Sequence, residues 1–299
     1  MAYGTPERPQ DLEAYYTDIR RGRPPSAAQL ADLRRRYDAI GGLSPLAERT
    51  RAQVDGLQDL LDVHHPGRYR VALGLKHSSP SIEAGVAALA AAGVEEVIFV
   101  VLAPHYSELS VGQYHQRAQR AWGRRCRMVR SWYDRPALIE LLAGRTSAAL
   151  ARLPRGARPE VLVTAHSLPQ RAATIDHPSY PAQLERTGAL VAAAAGLQSW
   201  RVAWQSAGRT TEPWLGPDLA EVIRRLPAEG FDAVVVCPAG FTAEHLEVLY
   251  DIDIEARALA DGLGLRLERT DSLDDDPRFL ELLAELVTAE DGDSEPGSD

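Results

Sequence analysis

Residues 69–104 read YRVALGLKHSSPSIEAGVAALAAAGVEEVIFVVLAP. Two short runs rich in apolar and β-branched residues, Tyr69–Leu75 and Val97–Ala103, bracket a stretch in which Ile82, Val86 and Leu89 recur at helical spacing, and Pro104 stops the second run. Strand, helix, strand in that order is the crossover that joins parallel neighbours, so the chain predicts a parallel sheet.

The theme repeats downstream. Val161–Ala165, a helix through Leu184 to Leu197, Arg201–Trp204, a helix through Leu219, Val222, Ile223 and Leu226, and Ala233–Cys237 follow one another in the same alternation. EVIFVVLAPHYS (96–107) and DAVVVCPAGFT (232–242) echo each other as apolar strand, proline, aromatic, hydroxyl. Between the halves, ARLPRGARP (151–159) has the arginine, proline and glycine content of an exposed linker. At 299 residues and 45% hydrophobic, the chain is long for one core and ample for two. The expectation is an α/β protein of two Rossmann-like domains, 1–150 and 151–288, each a parallel sheet flanked by helices, with the active-site cleft between them. Phe279, Leu280, Leu283 and Leu286 mark an amphipathic last helix, and 289–299 is expected to be a disordered acidic tail.

The formal charge of -9 comes from one end of the chain. Residues 271–299 hold eleven acidic side chains against Arg278, so the body is close to neutral and local charge must decide what it binds. Cys126 and Cys237 are the two cysteines and form no CxxC, which leaves a disulfide framework, a zinc ribbon and a Cys-ligated iron–sulfur cluster unsupported. The N-terminus lacks a basic region followed by an apolar core, and the most apolar region, Ala84–Ala103, is broken by Glu95 and Glu96. Secretion and membrane spanning are not expected, and a reducing, cytoplasmic setting is.

VLVTAHSLP (161–169) is a buried strand that delivers His166 at its carboxyl end, where open α/β sheets bind ligands. A lone histidine on an apolar strand is more often structural than catalytic, so a partner must converge on it. HLEVLYDIDIE (245–255) supplies one: Glu247, Asp251 and Glu255 recur at spacing four on a helix after the loop Pro238–Thr242. An ordinary helix turns such a stripe by about 40° per step, and like charges at that spacing repel. Leu246, Leu249, Ile252 and Ile254 flank the row, which argues for partial burial rather than a solvated face. A row of hard oxygen ligands suits a hydrated divalent cation in transit, and carboxylates in a cleft raise one another's proton affinity, so the row suits exchange of a metal for protons.

A third constellation is basic. Residues 17–40 carry six arginines against three aspartates, a capping box begins at Ser26 with Gln29, and the turn Gly41-Gly42-Leu43-Ser44-Pro45 follows. Leu30, Leu33, Tyr37 and Ile40 give that helix an apolar face, so some arginines are simply solvated; with the turn, the others offer an anion site for carboxylates. No aromatic-interleaved strand accompanies them, which argues against nucleic acid.

MAYGTP, the IRRGR run, RYDAIGGLSPLAERT, LAPHYS, SWYD, TAHSLP, WQSAGRTTEPWLGPD and GFTAEHLEVLYDIDIE, in that order from Met1 to about Val287, resemble ferrochelatases, specifically the soluble coproporphyrin type of Gram-positive bacteria. The resemblance implies a chelatase-type fold and a lyase that inserts Fe(II) into coproporphyrin III in haem biosynthesis. It implies that His166 takes pyrrole protons or holds iron with Glu247 facing it, and that Asp251 and Glu255 lead inward as a cation path. It places Tyr3 near the porphyrin centre as an iron contact, with Thr5, Arg20, Arg36, Tyr37, Ser44 and Tyr114 lining the macrocycle or its propionates. Trp214 is read as interdomain core as readily as a brace for the ring. By the same resemblance the substrates are the porphyrin and Fe2+, no prosthetic group or iron–sulfur cluster is held, and the protein is a monomer with transient hand-over to a coproheme decarboxylase. Met1 stands where the family has the end of an apolar first strand, so Tyr3 is expected to hang from a frayed terminus and the true start to lie upstream.

Within the family the competing reading is a protoporphyrin IX chelatase, which favours an apolar entrance lip; here Leu46-Ala47-Glu48-Arg49-Thr50 is polar. A cobalt chelatase and, from another class, a non-catalytic tetrapyrrole or metal carrier share the architecture.

Overall fold

The computed structural model describes residues 1–208 and 210–292. Met1–Ala2 is followed by α1 (Leu12–Ile19), α2 (Ala27–Ala39) and α3 (Leu46–His64). The capping box is made as expected: the Ser26 hydroxyl accepts the Gln29 N–H while the Gln29 amide oxygen accepts the Ser26 N–H. Then come α4 (Ile82–Ala91), β1 (Ile98–Phe99), α5 (Val111–Trp122), β2 (Arg127–Met128) and α6 (Pro136–Ala151), with β1 and β2 parallel.

The second sheet is larger. Strands β3 (Pro159–His166), β4 (Trp200–Gln205), β5 (Ala233–Cys237) and β6 (Arg266–Arg269) run parallel in the spatial order β4-β3-β5-β6. Helix α7 (Tyr180–Ala195) joins β3 to β4, α8 (Leu219–Arg225) joins β4 to β5, and a π-helix (Val248–Ala256) running into α9 (Arg257–Gly262) joins β5 to β6. Helix α10 (Pro277–Asp291) closes the chain. Residues 161–163 and 234–236 are fully buried on both faces, as a parallel sheet covered by helices requires.

Several boundaries differ from the sequence reading, each for a local reason. Tyr69–Leu75 is extended but belongs to no ladder; its backbone pairing is limited to bridges from Leu75 to Ala2 and Ser81. Of Val97–Ala103, Ile98 and Phe99 alone form regular strand. Strand β6 went unread because its sequence, RLER, buries Leu267 alone. Helix α6 packs on α7, β5 and α10, and one core cluster joins Leu57, Leu61 and Trp132 to Val163, Cys237 and Phe279 across the residue-150 boundary. The last helix reaches Asp291, three residues past 288, because Asp291 is held by Arg68, by the Tyr69 hydroxyl at 2.9 Å and by Arg127. Of the expected disordered tail, 293–299 lies outside the described residues.

The first residues are anchored rather than frayed. The Ala2 N–H donates to the Gly74 carbonyl and the Ala2 carbonyl accepts from Lys76, while the Met1 carbonyl accepts from Leu102 and its amino group donates to Val100. Tyr3 therefore leaves a clamped backbone. No helix among the described residues is long and apolar enough to cross a membrane.

Candidate active site

Chain order and spatial order diverge at one place in the larger sheet. The chain moves from β3 outward to β4, then returns to the other side of β3 to lay down β5, so the carboxyl ends of β3 and β5 flank a topological switch point, the usual ligand crevice of such sheets. His166 is the last residue of β3, and the loop after β5 leads to Glu247. Gly240 permits the closeness of the two: its N–H donates to Thr164 at 3.0 Å, and a Cβ there would lie 2.5 Å from that of Ala165.

The His166 Nε2 is 3.5 Å from Glu247 Oε1. Its Nδ1 contacts the Ser167 carbonyl, an acceptor, so Nδ1 carries a hydrogen and the reactive nitrogen is the one that faces the carboxylate. A second imidazole does the same from the other side: His245 Nδ1 donates to Ala243 at 2.9 Å, and its Nε2 is 3.6 Å from Glu247 Oε2. Burial works against both charges of the His166–Glu247 pair. The Glu247 charge nevertheless lifts the His166 pKa above the ordinary histidine value, and the two imidazoles hold the Glu247 carboxyl well below the usual range.

The acidic row lies on the π-helix rather than on an ordinary one. A ring closed by i→i+5 bonds holds more than four residues per turn, so a four-residue step falls short of a full turn instead of overshooting it, and the row is kept on one face. Asp251, with its side chain 11% exposed, accepts from the Ser206 hydroxyl and lies 3.4 Å from Arg36 Nη1. Ser206 adopts a left-handed φ of 60° at the end of β4, an uncommon conformation for a residue with a side chain, fixed where its hydroxyl meets Asp251. Burial and the neighbouring Glu247 push the Asp251 carboxyl up to about 6, against the pull of Ser206 and Arg36. Glu255 is exposed, so the row runs from the crevice to solvent.

The residues expected around a macrocycle fall into two groups. Tyr3 is 41% exposed, rests edge-on against His77 with ring centroids 4.6 Å apart, and has its proton affinity raised by burial and then by the Glu247 charge. Thr5 Oγ1 and the Tyr37 hydroxyl are 3.0 Å apart, and burial takes Tyr37 up to about 12. Tyr114 is buried beneath Lys76, whose Nζ lies 4.9 Å from its ring centre, and it also feels Glu247. These four residues face the His–Glu pair from the first half of the chain. Arg20 and Ser44, by contrast, make local contacts: Arg20 with the Arg23 carbonyl and the Tyr16 ring, Ser44 with the Leu46 N–H.

Arg36 was expected at a propionate and sits instead on Asp251 and over the Tyr250 ring, with Cζ 4.9 Å from the centroid. Sequence reasoning passed over His245, which lies two residues before Glu247 in HLE, and Ser206 in WQSAGR; nothing in their spacing marks them, because each is brought in by the fold. Lys76, lowered to about 8 by burial and by Arg117, was also missed. Trp214 lies 6.4 Å, centroid to centroid, from the His166 ring.

A family model described as Ferrochelatase matches residues 1–291. The chain is 44% identical to the coproporphyrin III ferrochelatase of Anoxybacillus flavithermus, over 96% of this chain and 93% of that protein. It is 43% identical to a ferrochelatase of Herpetosiphon aurantiacus over 97% of each. It is 41% identical to the coproporphyrin III ferrochelatase of Bacillus subtilis, over 96% and 95%. In fold alone it matches CbiX, described as the terminal enzyme for siroheme biosynthesis in denitrifying bacteria, with TM-score 0.55 at 16% identity over 82% of this chain and 93% of that one. SirB from Bacillus subtilis matches with TM-score 0.57 at 15% identity over 82% and 91%.

Proposed function

The chain belongs to the ferrochelatase family, and on that premise we propose that it is a metallochelatase, a lyase that inserts Fe(II) into coproporphyrin III and releases two protons to give coproheme in haem biosynthesis. The observation that carries the reading is the pair His166 Nε2 and Glu247 Oε1, 3.5 Å apart at the switch point, with Tyr3, Tyr37 and Tyr114 turned toward it from the other half.

Metal insertion needs a base for two pyrrole protons and a place for a cation to shed water. With Nδ1 committed to Ser167, the Nε2 of His166 is the ring atom able to take a proton or hold iron. Glu247, ionised at neutral pH, offsets the charge His166 gains. Asp251 and Glu255 offer hard oxygens in exchange for hydration water along the row, and an Asp251 poised near 6 can carry either an ion or a proton. Holding the ring in a saddled shape exposes the pyrrole nitrogens to the base, which is binding energy spent where the reaction needs it.

Thr5 and the three tyrosines line the macrocycle in this reading, and Arg20 with the turn at Ser44 takes propionates. Arg36 belongs to the ion path. Iron and porphyrin are both substrates, with no prosthetic group or iron–sulfur cluster invoked. A cytoplasmic monomer that passes its product to a coproheme decarboxylase completes the proposal. The polar lip Leu46–Thr50 favours the substrate with four carboxylates over the one with two. Purified protein offered coproporphyrin III or protoporphyrin IX with Fe(II) under anaerobic conditions tests it: faster turnover of coproporphyrin III is expected, and faster turnover of protoporphyrin IX reverses the choice.

A further inference from the structure

The largest void in the described residues lies in the first half of the chain, away from the site. It is a cavity of ≈ 1020 Å³, roofed by α4 and floored by α3 and α10, whose lining runs without a break along residues 67–74 on one side and 92–100 on the other. Interiors are close-packed, with few voids larger than a water molecule, so an apolar space of this size inside one layer of a sheet wants an occupant.

The backbone on its two long sides says what shape that occupant has. Residues 71–74 are extended and paired with no strand, and β1 is bonded to β2 on its far side alone. At the downstream end of the slot, Met1–Ala2 lies between the two walls and bonds to both. Ala2 donates to Gly74 and accepts from Lys76; Met1 donates to Val100 and accepts from Leu102. This is the hydrogen-bonding of a parallel central strand, of which two residues are present. Carried back in register, the next residues would meet the slot-facing groups of Ala72 and Gly74 on one wall and of Ile98 and Val100 on the other. Side chains above and below would meet Ile82 and Val86, and Leu57, Leu61 and Val287.

We propose that this slot is a strand-acceptor site, filled by an extended apolar segment joined in cis to the Met1 nitrogen and running parallel between residues 71–74 and 97–100. At 3.3 Å per residue, about five or six residues span it. The Met1 amino group argues for the covalent connection over a separate peptide. It sits buried at the mouth of the slot, 2.6 Å from the Val100 carbonyl, and burial lowers its pKa to about 5. A peptide N–H at the same position keeps the bond to Val100 as an ordinary ladder bond and removes the cost of a charge in an apolar cavity.

The test is a pair of N-terminal fusions to the full chain: six residues rich in Val, Leu and Ile, and six of Gly and Ser. The apolar fusion is expected to raise Tm by about 5–10 °C. It is also expected to slow amide exchange at Ala72, Gly74, Ile98 and Val100 at least tenfold, while the Gly-Ser fusion does neither. Equal Tm and exchange for both fusions and the parent overturns the proposal. So does protection by the same apolar hexapeptide added free but not when fused, because the occupant would then be a separate chain.

Discussion

Arg36 of α2 reaches Asp251 of the π-helix: Nη1 and Oδ1 are 3.4 Å apart, and the guanidinium lies over the intervening Tyr250 ring. A cation from the first half of the chain is thereby placed beside the carboxylate that lies between Glu247 and solvent. Arg36→Ala is expected to raise the KM for Fe(II) about tenfold while porphyrin Kd changes less than threefold, the size of one lost charge-assisted bond. Arg20→Ala is expected to do the reverse. Steady-state kinetics with fluorescence titration of porphyrin reads both; equal porphyrin weakening in the two variants refutes the assignment.

His166→Ala removes the base and one ligand together. The insertion rate should fall by roughly 10²–10⁴-fold, the range for a positioned proton-transfer group, with porphyrin binding retained. His245→Ala should cost less, about tenfold, because His245 restrains Glu247 without replacing His166. Unchanged insertion in His166→Ala removes that residue from the mechanism.

The raised Asp251 pKa makes a stability prediction of unusual sign. Between about pH 4 and 6 the folded state binds more protons at Asp251 than the unfolded chain, so this residue's contribution falls as pH rises through that window. Above it, Asp251 costs the fold up to about 3 kcal/mol. Asp251→Asn should raise Tm at pH 7.5, by a few degrees, while iron insertion drops. A lower Tm at that pH contradicts it.

His105 acts in the other direction. It is fully buried, its Nε2 is 2.9 Å from Thr187 Oγ1, its Nδ1 has no partner, and burial lowers its pKa to about 3. The unfolded chain takes up the proton first, so stability is lost as pH falls below about 6.5, at roughly 1.4 kcal/mol per unit. Buried His115, lowered to about 4, adds to the slope. Thermal melts from pH 7.5 to 5 should show this loss, and His105→Gln should flatten it; an unchanged slope in the variant assigns the acid sensitivity elsewhere.

Gly240→Ala tests how the loop after β5 meets β3. The added methyl would press on Ala165, one residue before His166, so a loss of about 1–3 kcal/mol and a lower kcat are expected together. Wild-type kcat in a stable variant would show that the loop yields without moving Glu247.

The second half was the more legible in sequence because its strands are continuous apolar runs with both faces covered: β5 runs from Ala233 to Cys237 as read, and β3 and β4 extend their expected runs by a residue or two at each end. The first half was misread at Tyr69–Leu75 because apolar composition marks a strand's propensity, whereas a ladder also needs a neighbour. Spacing was enough to find Glu247, Asp251 and Glu255. It could not reveal that the helix beneath them is widened, since backbone hydrogen-bond register is not written in side-chain polarity. Ser206 and the role of Arg36 depend on contacts spanning 45 and 215 positions, beyond any local pattern.

Because His166 and the stem of the Glu247 loop grow from adjacent rungs of one ladder, their separation is set by hydrogen bonds that no hinge between the halves can stretch. Tyr3, Tyr37 and Tyr114 hang from the opposite half. A swing of one half on the other therefore acts as a height adjustment: it lifts or lowers whatever flat guest the tyrosines carry over a post that keeps its own dimensions.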